Sequence, residues 1–220
     1  MWINNIPLSE YGGQLRMEYK ASGCAIDATA FKGRKRSSFV LLNSSVGFKT
    51  LTLPVVFEGK DRDDVTQKKS RFDALIFGKN ELIMDDGFQY SAYLSAIGDA
   101  SYPSPALIET DYTLVGVRHG KYVQARGNKI FCDSTLPHTD CILSVTAGRE
   151  SKSYQLGTVT FSNVTKGQKL TVDGINKRIL VNGVPAAERA TWINFPSLSP
   201  GVNNIICEDV PTVEFYPVYF

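Results

Sequence analysis

The chain has 220 residues, 43% hydrophobic and 11% aromatic, which suits one large β domain or two of about 100 residues each. Lys and Arg total 24 against 22 Asp and Glu, spread almost evenly along the chain. That balance excludes the charge excess of a nucleic-acid binder or of a protein held on an anionic membrane.

In chain order, Trp2-Ile3, Asn4-Asn5 and Ile6-Pro7-Leu8 predict a short strand–turn–strand with two turn-tolerant residues at its tip. No basic flank leads into a long apolar run, so this is not a signal peptide. No stretch approaches the roughly 18 apolar residues of a spanning helix. The expectation is synthesis and folding in the cytoplasm, with no membrane partner. Tyr11-Gly12-Gly13 is a break, after which Leu15, Met17 and Tyr19 alternate with Arg16, Glu18 and Lys20 as in a half-buried strand. Phe31–Ser38 carries Lys32, Arg34, Lys35 and Arg36 and reads as a solvated loop, with a lipid or nucleic-acid patch as the sharper alternative. Phe39–Leu42 is too short to assign.

The stretch from Gly47 to Ile97 organises the chain. Phe48–Phe57 reads as a strand with Leu51, Leu53, Val55 and Phe57 on one face. From Asp61 the period changes. Val65, Phe72, Leu75 and Ile76 fall on one side of a helix that Asp61 caps and Gly78 ends. Glu81–Asp85 and Phe88–Leu94 flank Asp86-Gly87, a strong hairpin signal that puts Phe88, Tyr90, Ala92 and Leu94 on one face. Gly98–Asp111, with Pro103 and Pro105, reads as a loop or extended crossing segment, and Tyr112–Val117 as a strand able to rejoin the first sheet. Gly120–Asn128 turns polar and glycine-punctuated. A domain boundary there gives 1–126 and 127–220.

The second half is all β by its punctuation. Ile142–Val145, Gly157–Phe161, Lys169–Val172 and Arg178–Val181 are strand-like, separated by turn residues about every ten positions, the spacing of a sandwich. Asp173-Gly174 and Asn182-Gly183 are expected to be tight hairpin turns. Thr212–Phe220 closes the chain as a strand that Pro217 pushes toward a sheet edge. The fold class is therefore mainly β: an N-terminal sandwich-like domain with one helix and a hairpin, and a C-terminal sandwich.

Chemistry is not advertised. His119 and His138 are the two histidines, and neither lies in a catalytic motif; no Gly-x-Ser-x-Gly elbow, phosphate loop or dinucleotide fingerprint is present. Cys132, His138, Cys141 and the distant Cys207 do not match paired zinc knuckles. With Cys24, the cysteines are too few and irregular for a disulfide framework, so buried reduced thiols are expected. No metal, cofactor or catalytic residue is assigned. Asp63-Asp64, Asp85-Asp86 and Glu208-Asp209 sit at a helix start and in turns, positions that favour Asp anyway. Trp192 is either a core or interface residue or a sugar platform.

Several short stretches together resemble the distal tail proteins of long-tailed bacteriophages and prophages. They are Ile3-Asn4-Asn5-x-x-Leu8-Ser9-x-Tyr11-Gly12, in which Asn5 stands where that family usually has Gly, and the Gly47–Ile97 strand–helix–hairpin unit. In the second half, Leu170–Asp173 with Arg178-x-x-Val181-Asn182-Gly183, Phe195–Asn203 and Tyr216–Tyr219 are similar to that family's galectin-like C-terminal domain. The resemblance implies a non-enzymatic virion protein of the tail tip. Its N-terminal domain would form a homohexameric ring on the tail-tube protein, with DNA passing only through the lumen. Its C-terminal domain would dock baseplate or receptor-binding proteins. Sugar-binding galectins carry a His-x-Asn-x-Arg strand and a later Trp-x-x-Glu; here Trp192 precedes Ile193, Asn194 and Phe195, and no such His strand exists.

The alternative reading is a carbohydrate-binding module attaching to host glycans, and a weaker third is a hydrolase with an unrecognised site. Candidate contact residues, for a protein interface or a glycan, are Trp192 and the aromatics of the closing segment: Phe215, Tyr216, Tyr219 and Phe220. Some of these must be core, since alternation turns Phe215 away from Tyr216.

Overall fold

The computed structural model describes residues 1–32 and 38–220. Most of the basic run, from Gly33 to Ser37, lies outside the described residues. The chain divides into a first unit, Met1–His119 with Phe220, and a second, Gly120–Tyr219. The division falls at the start of the polar Gly120–Asn128 segment and not after residue 126, because Val123–Arg126 pairs with Thr212–Phe215 of the second unit. Both units are mainly β. Among the described residues, no helix is long and apolar enough to cross a membrane.

The first unit runs β1 (Trp2–Ile3), β2 (Ile6–Pro7), β3 (Gly13–Leu15), β4 (Lys20–Ala21), β5 (Ile26–Phe31), β6 (Val40–Val46) and β7 (Lys49–Glu58). Then come α1 (Arg62–Ile76), β8 (Lys79–Ile83), β9 (Gln89–Ile97), β10 (Ser101–Ser104) and β11 (Leu107–His119). The main sheet has the order β2-β1-β8-β9-β11-β7-β3, with β4 added to β7 and β10 to β11. Its central pair, β7 with β11, is antiparallel from Leu107 opposite Glu58 to Gly116 opposite Lys49. Gly116 is a close-approach position: a Cβ there would lie 2.2 Å from the Ser91 carbonyl oxygen on β9.

The expected face of β7 is the core face. Leu51, Leu53, Val55 and Phe57 are buried with Ile108, Tyr112 and Leu114 of β11 and Val65, Phe72 and Ile76 of α1. The Phe72 ring centroid lies 5.3 Å from that of Phe57 and 5.1 Å from that of Tyr112, within the range where tilted aromatic pairs attract. Asp61 caps α1, its Oδ1 accepting the Asp64 N–H at 2.9 Å. At the other end the buried Asn80 amide donates to Ile76 O (2.7 Å) and Gly78 O (3.0 Å) while its Oδ1 accepts from Asn4 Nδ2 (2.9 Å). One side chain thus closes the helix and ties it to the β1–β2 turn. In that turn Asn4 and Asn5 have φ of 50° and 65°. Asn, after Gly, tolerates this left-handed region best.

Three sequence expectations change here. The strand expected through Leu15, Met17 and Tyr19 stops at Leu15, because Pro54 accepts the Arg16 N–H at 2.8 Å but has no N–H to return. Gly98–Asp111 is largely strand: β10, and the start of β11 against Val56 to Glu58. Phe88 lies outside β9, 47% exposed, under the Arg118 guanidinium 5.0 Å from its ring centroid. Tyr90 and Ala92 are buried as expected.

The second unit holds β12 (Val123–Arg126), β13 (Lys129–Cys132), β14 (Thr139–Thr146), β15 (Ser151–Leu156), β16 (Val159–Val164), β17 (Lys169–Asp173) and β18 (Arg178–Val181). It continues with β19 (Val184–Pro185), β20 (Ala190–Trp192), β21 (Ser197–Leu198), β22 (Gly201–Asn204), β23 (Thr212–Phe215) and β24 (Val218–Tyr219). One sheet has the order β12-β23-β14-β17-β18-β19, with β21 also on β14. A second is β15-β16-β20, and β13 with β22 is a separate ribbon. Leu143, Val145, Leu170, Val172 and Phe215 of the first sheet share one core with Tyr154, Leu156, Val159 and Phe161 of the second.

The Asn182-Gly183 turn is as expected, with φ of 52° and 80°, joining β18 to β19. Asp173-Gly174 is not a tight turn. The connection runs on to Arg178, with Lys177 in the left-handed region, because the Asp173 carboxylate gathers the Asn176 N–H and side-chain amide (both 2.8 Å) and Arg178 (3.1 Å). Burial raises the carboxyl pKa of Asp173, but these donors outweigh it and hold it below the usual range. The closing segment also differs. β23 lies between β12 and β14 and ends at Phe215, so the expected single strand is broken at Pro217, between β23 and β24.

Candidate assembly surfaces

β5 and β6 form a two-stranded ribbon that continues the pairing of β4 with β7, through Ser22 N–H to Thr50 O (2.8 Å) and Gly47 N–H to Ala25 O (2.6 Å). Every residue of both strands is exposed except the half-buried Val46. Cross-strand partners share a face, so Phe31 stands beside Val40 on one side and Ala30 beside Leu41 on the other. Phe31 is 63% exposed, Val40 56% and Leu41 52%. An isolated two-stranded ribbon is marginal in water, and side chains of this kind on both its faces gain by being covered. The sequence did not reveal the arm, because alternation rules read burial and neither face of this ribbon is buried.

The aromatic residues singled out from sequence are dispersed. Phe215 is 1% exposed and belongs to the core of the second unit, facing opposite to Tyr216 as alternation requires. Tyr216 stacks at a tilt on Tyr122, ring centroids 5.4 Å apart. Burial, then Glu214 and Tyr216, push the Tyr122 hydroxyl up to about 12. The Tyr219 hydroxyl donates to Asp133 Oδ2 at 3.2 Å. Phe220 is clustered with the first unit and is 47% exposed. Trp192 ends β20, 37% exposed, its ring 6.1 Å from that of Phe195.

A different apolar surface appears on the β13–β22 ribbon. Phe131 and Val202 are directly paired across it, and each is 68% exposed. Ile206 and Val210, which follow in the chain, are also exposed. The pairing of residues so far apart in sequence made this surface invisible to inspection of either segment alone.

The titratable clusters serve the fold. Asp209 Oδ2 accepts the Gly148 N–H and the Tyr154 hydroxyl, both at 2.8 Å. Those bonds, the Gly148 contact foremost, hold its carboxyl below the usual range against burial. The Tyr112 hydroxyl donates to Asp73 Oδ1 at 2.5 Å, and Lys69 pairs with the other oxygen at 2.8 Å, fastening α1 to β11. Cys132 and Cys141 are buried, and burial, then Asp140 and Cys132, push the Cys141 thiol up to about 12. His138 is exposed in the loop between β13 and β14. Among the described residues, no group of three or more His, Cys, Asp or Glu is placed to hold a metal ion.

No protein-family model matches the sequence, and no curated protein matches it either. The fold does have counterparts among solved structures. It is similar to the Dit protein (gp 19.1) of SPP1, described as a paradigm of the hub adsorption apparatus in phages that infect Gram-positive bacteria. That similarity has a TM-score of 0.75 at 11% identity and covers 100% of this chain and 98% of that one. It is also similar to a chain of the phage P2 baseplate in its activated conformation with Ca, at TM-score 0.51, 9% identity, and 94% and 90% coverage. The fold is thus Dit-like over its whole length.

Proposed function

We propose that this chain is a structural hub protein of a phage tail tip: a distal tail protein, resident in the virion and synthesised in the bacterial host cytoplasm. In this reading the first unit forms a homohexameric ring at the end of the tail tube. The second unit docks baseplate or receptor-binding proteins, DNA meets the protein only in passing through the lumen, and no catalytic step is assigned. The observation that carries the reading is the end-to-end fold likeness to a protein described as a hub of the adsorption apparatus.

Two surfaces support it. The β5–β6 arm leaves the main sheet with apolar residues on both faces, a shape suited to lying on the next copy in a head-to-tail, closed ring. The Phe131–Val202 pair gives the second unit an exposed apolar centre of the type that anchors protein interfaces. Light scattering on the full-length protein, across concentration and with tail-tube protein added, tests the reading. A mass near six chains is expected, and a monomer or dimer in every condition would overturn it.

A further inference from the structure

The first unit contains an open groove of about 650 Å³ assembled from four separated stretches: Leu15–Ser22, Lys49, Asp85–Tyr90 and Arg118. Lys49 is the unusual member. It lines the groove at 9% exposure, yet its ammonium is given one acceptor, Ser22 O, at a long 3.5 Å. An ammonium has three protons to donate, and among the described residues this one has a single long acceptor and no carboxylate partner. The groove's aspartates are engaged by other groups than Lys49. Asp85 pairs with the N-terminal ammonium, and Asp86 accepts the Tyr19 hydroxyl (2.7 Å) and the Phe88 N–H (3.0 Å). Met17 and Phe88, each about half exposed, supply apolar surface, and the Arg118 guanidinium covers part of the Phe88 ring.

We infer that this groove is a binding site for a peptide segment of a partner protein that carries a single Asp or Glu beside an apolar residue. The carboxylate would take the unused Lys49 donors, and the apolar side chain would lie on Met17 and Phe88. Charge selects the class of ligand. Glu18 and Asp86 line the same groove, and with Asp85 already paired to the N-terminal ammonium their two negative charges disfavour a polyanion such as a nucleic acid or a polyphosphate. One carboxylate followed by a basic residue satisfies both the lysine and the acidic lining. No residue of the β5–β6 arm lines the groove, so a failure of peptide binding would leave the proposed ring standing.

The test uses the full-length protein with fluorescently labelled Phe-Asp-Lys tripeptide (acetylated and amidated), its Phe-Asn-Lys analogue, a tri-aspartate peptide and inorganic phosphate as competitors. The Asp peptide is expected to bind at least about tenfold more tightly than the Asn analogue. Lys49→Met, checked for unchanged thermal unfolding, should erase that difference, and Phe88→Ala should weaken both peptides while keeping it. The Lys49 side-chain carbon resonance should shift on adding the Asp peptide. Equal binding of the two peptides, no binding of either, an unaltered preference in Lys49→Met, no loss in Phe88→Ala, or displacement of the peptide by phosphate or tri-aspartate at comparable concentration would each overturn the proposal.

Discussion

Replacing Phe31 and Val40 together with Ser should weaken ring assembly without harming the fold. Both residues sit on one face of the β5–β6 arm, 63% and 56% exposed, so neither contributes much to the isolated subunit. Full burial of such a side chain is worth roughly 1.5–3 kcal/mol, so covering the exposed fraction yields about 1–2 kcal/mol each. The pair then supplies about 2–4 kcal/mol per arm, since the entropic cost of association is common to wild type and variant and cancels in the comparison. At 1.4 kcal/mol per decade, the arm contact weakens by about 30-fold to several hundred-fold. Leu41→Ser, on the opposite face, reports whether the other side is covered as well. The assay is the concentration midpoint of assembly by light scattering, with thermal unfolding of the dilute subunit as control. An unchanged midpoint in both variants would refute the role of the arm, and a large fall in the unfolding temperature would refute the premise that these side chains are idle in the subunit.

Other outcomes follow from the same geometry. Asn80→Leu should destabilise the first unit by about 1–3 kcal/mol for each polar group left buried without a partner at the end of α1; urea unfolding showing no loss would contradict this. Asp209 has its carboxyl held low in the folded state, so its contribution is full above the ordinary carboxylate range near pH 4 and lost as the pH falls further through the folded value. The urea midpoint should therefore fall with acidification less steeply in Asp209→Asn than in the wild type, and equal slopes would contradict it. Phe131→Asp should abolish capture of a baseplate or receptor-binding partner while Trp192→Ala leaves it intact, measured by pull-down beside a glycan array; saccharide binding lost in Trp192→Ala, with no protein captured, would favour the lectin reading.

What could be read from sequence was whatever a core enforces. The Leu51–Phe57 alternation, the Val65–Phe72–Ile76 stripe and the Asp61 cap each reflect burial or an N-terminal backbone need, and each is present in the fold. Asn4 and Asn5 were legible as a turn because so few residue types accept their φ values. Features that depend on distant partners were not legible. The strand after Gly13 reads as longer than it is until Pro54 is seen opposite Arg16. Asp173-Gly174 reads as a tight turn until Asn176 and Arg178 are seen on its carboxylate. The surfaces were the least visible. Aromatic density pointed to the closing segment, where Phe215 is core, whereas the exposed apolar pairs Phe31–Val40 and Phe131–Val202 join residues whose neighbourhoods show no pattern.

The central claim is the ring, and electron microscopy of the purified full-length protein, at high concentration and with tail-tube protein, tests it most directly. Class averages showing closed annuli with sixfold symmetry and an open lumen, lost in the Phe31→Ser, Val40→Ser variant, are the predicted result. Particles of single chains or pairs in every condition would contradict it.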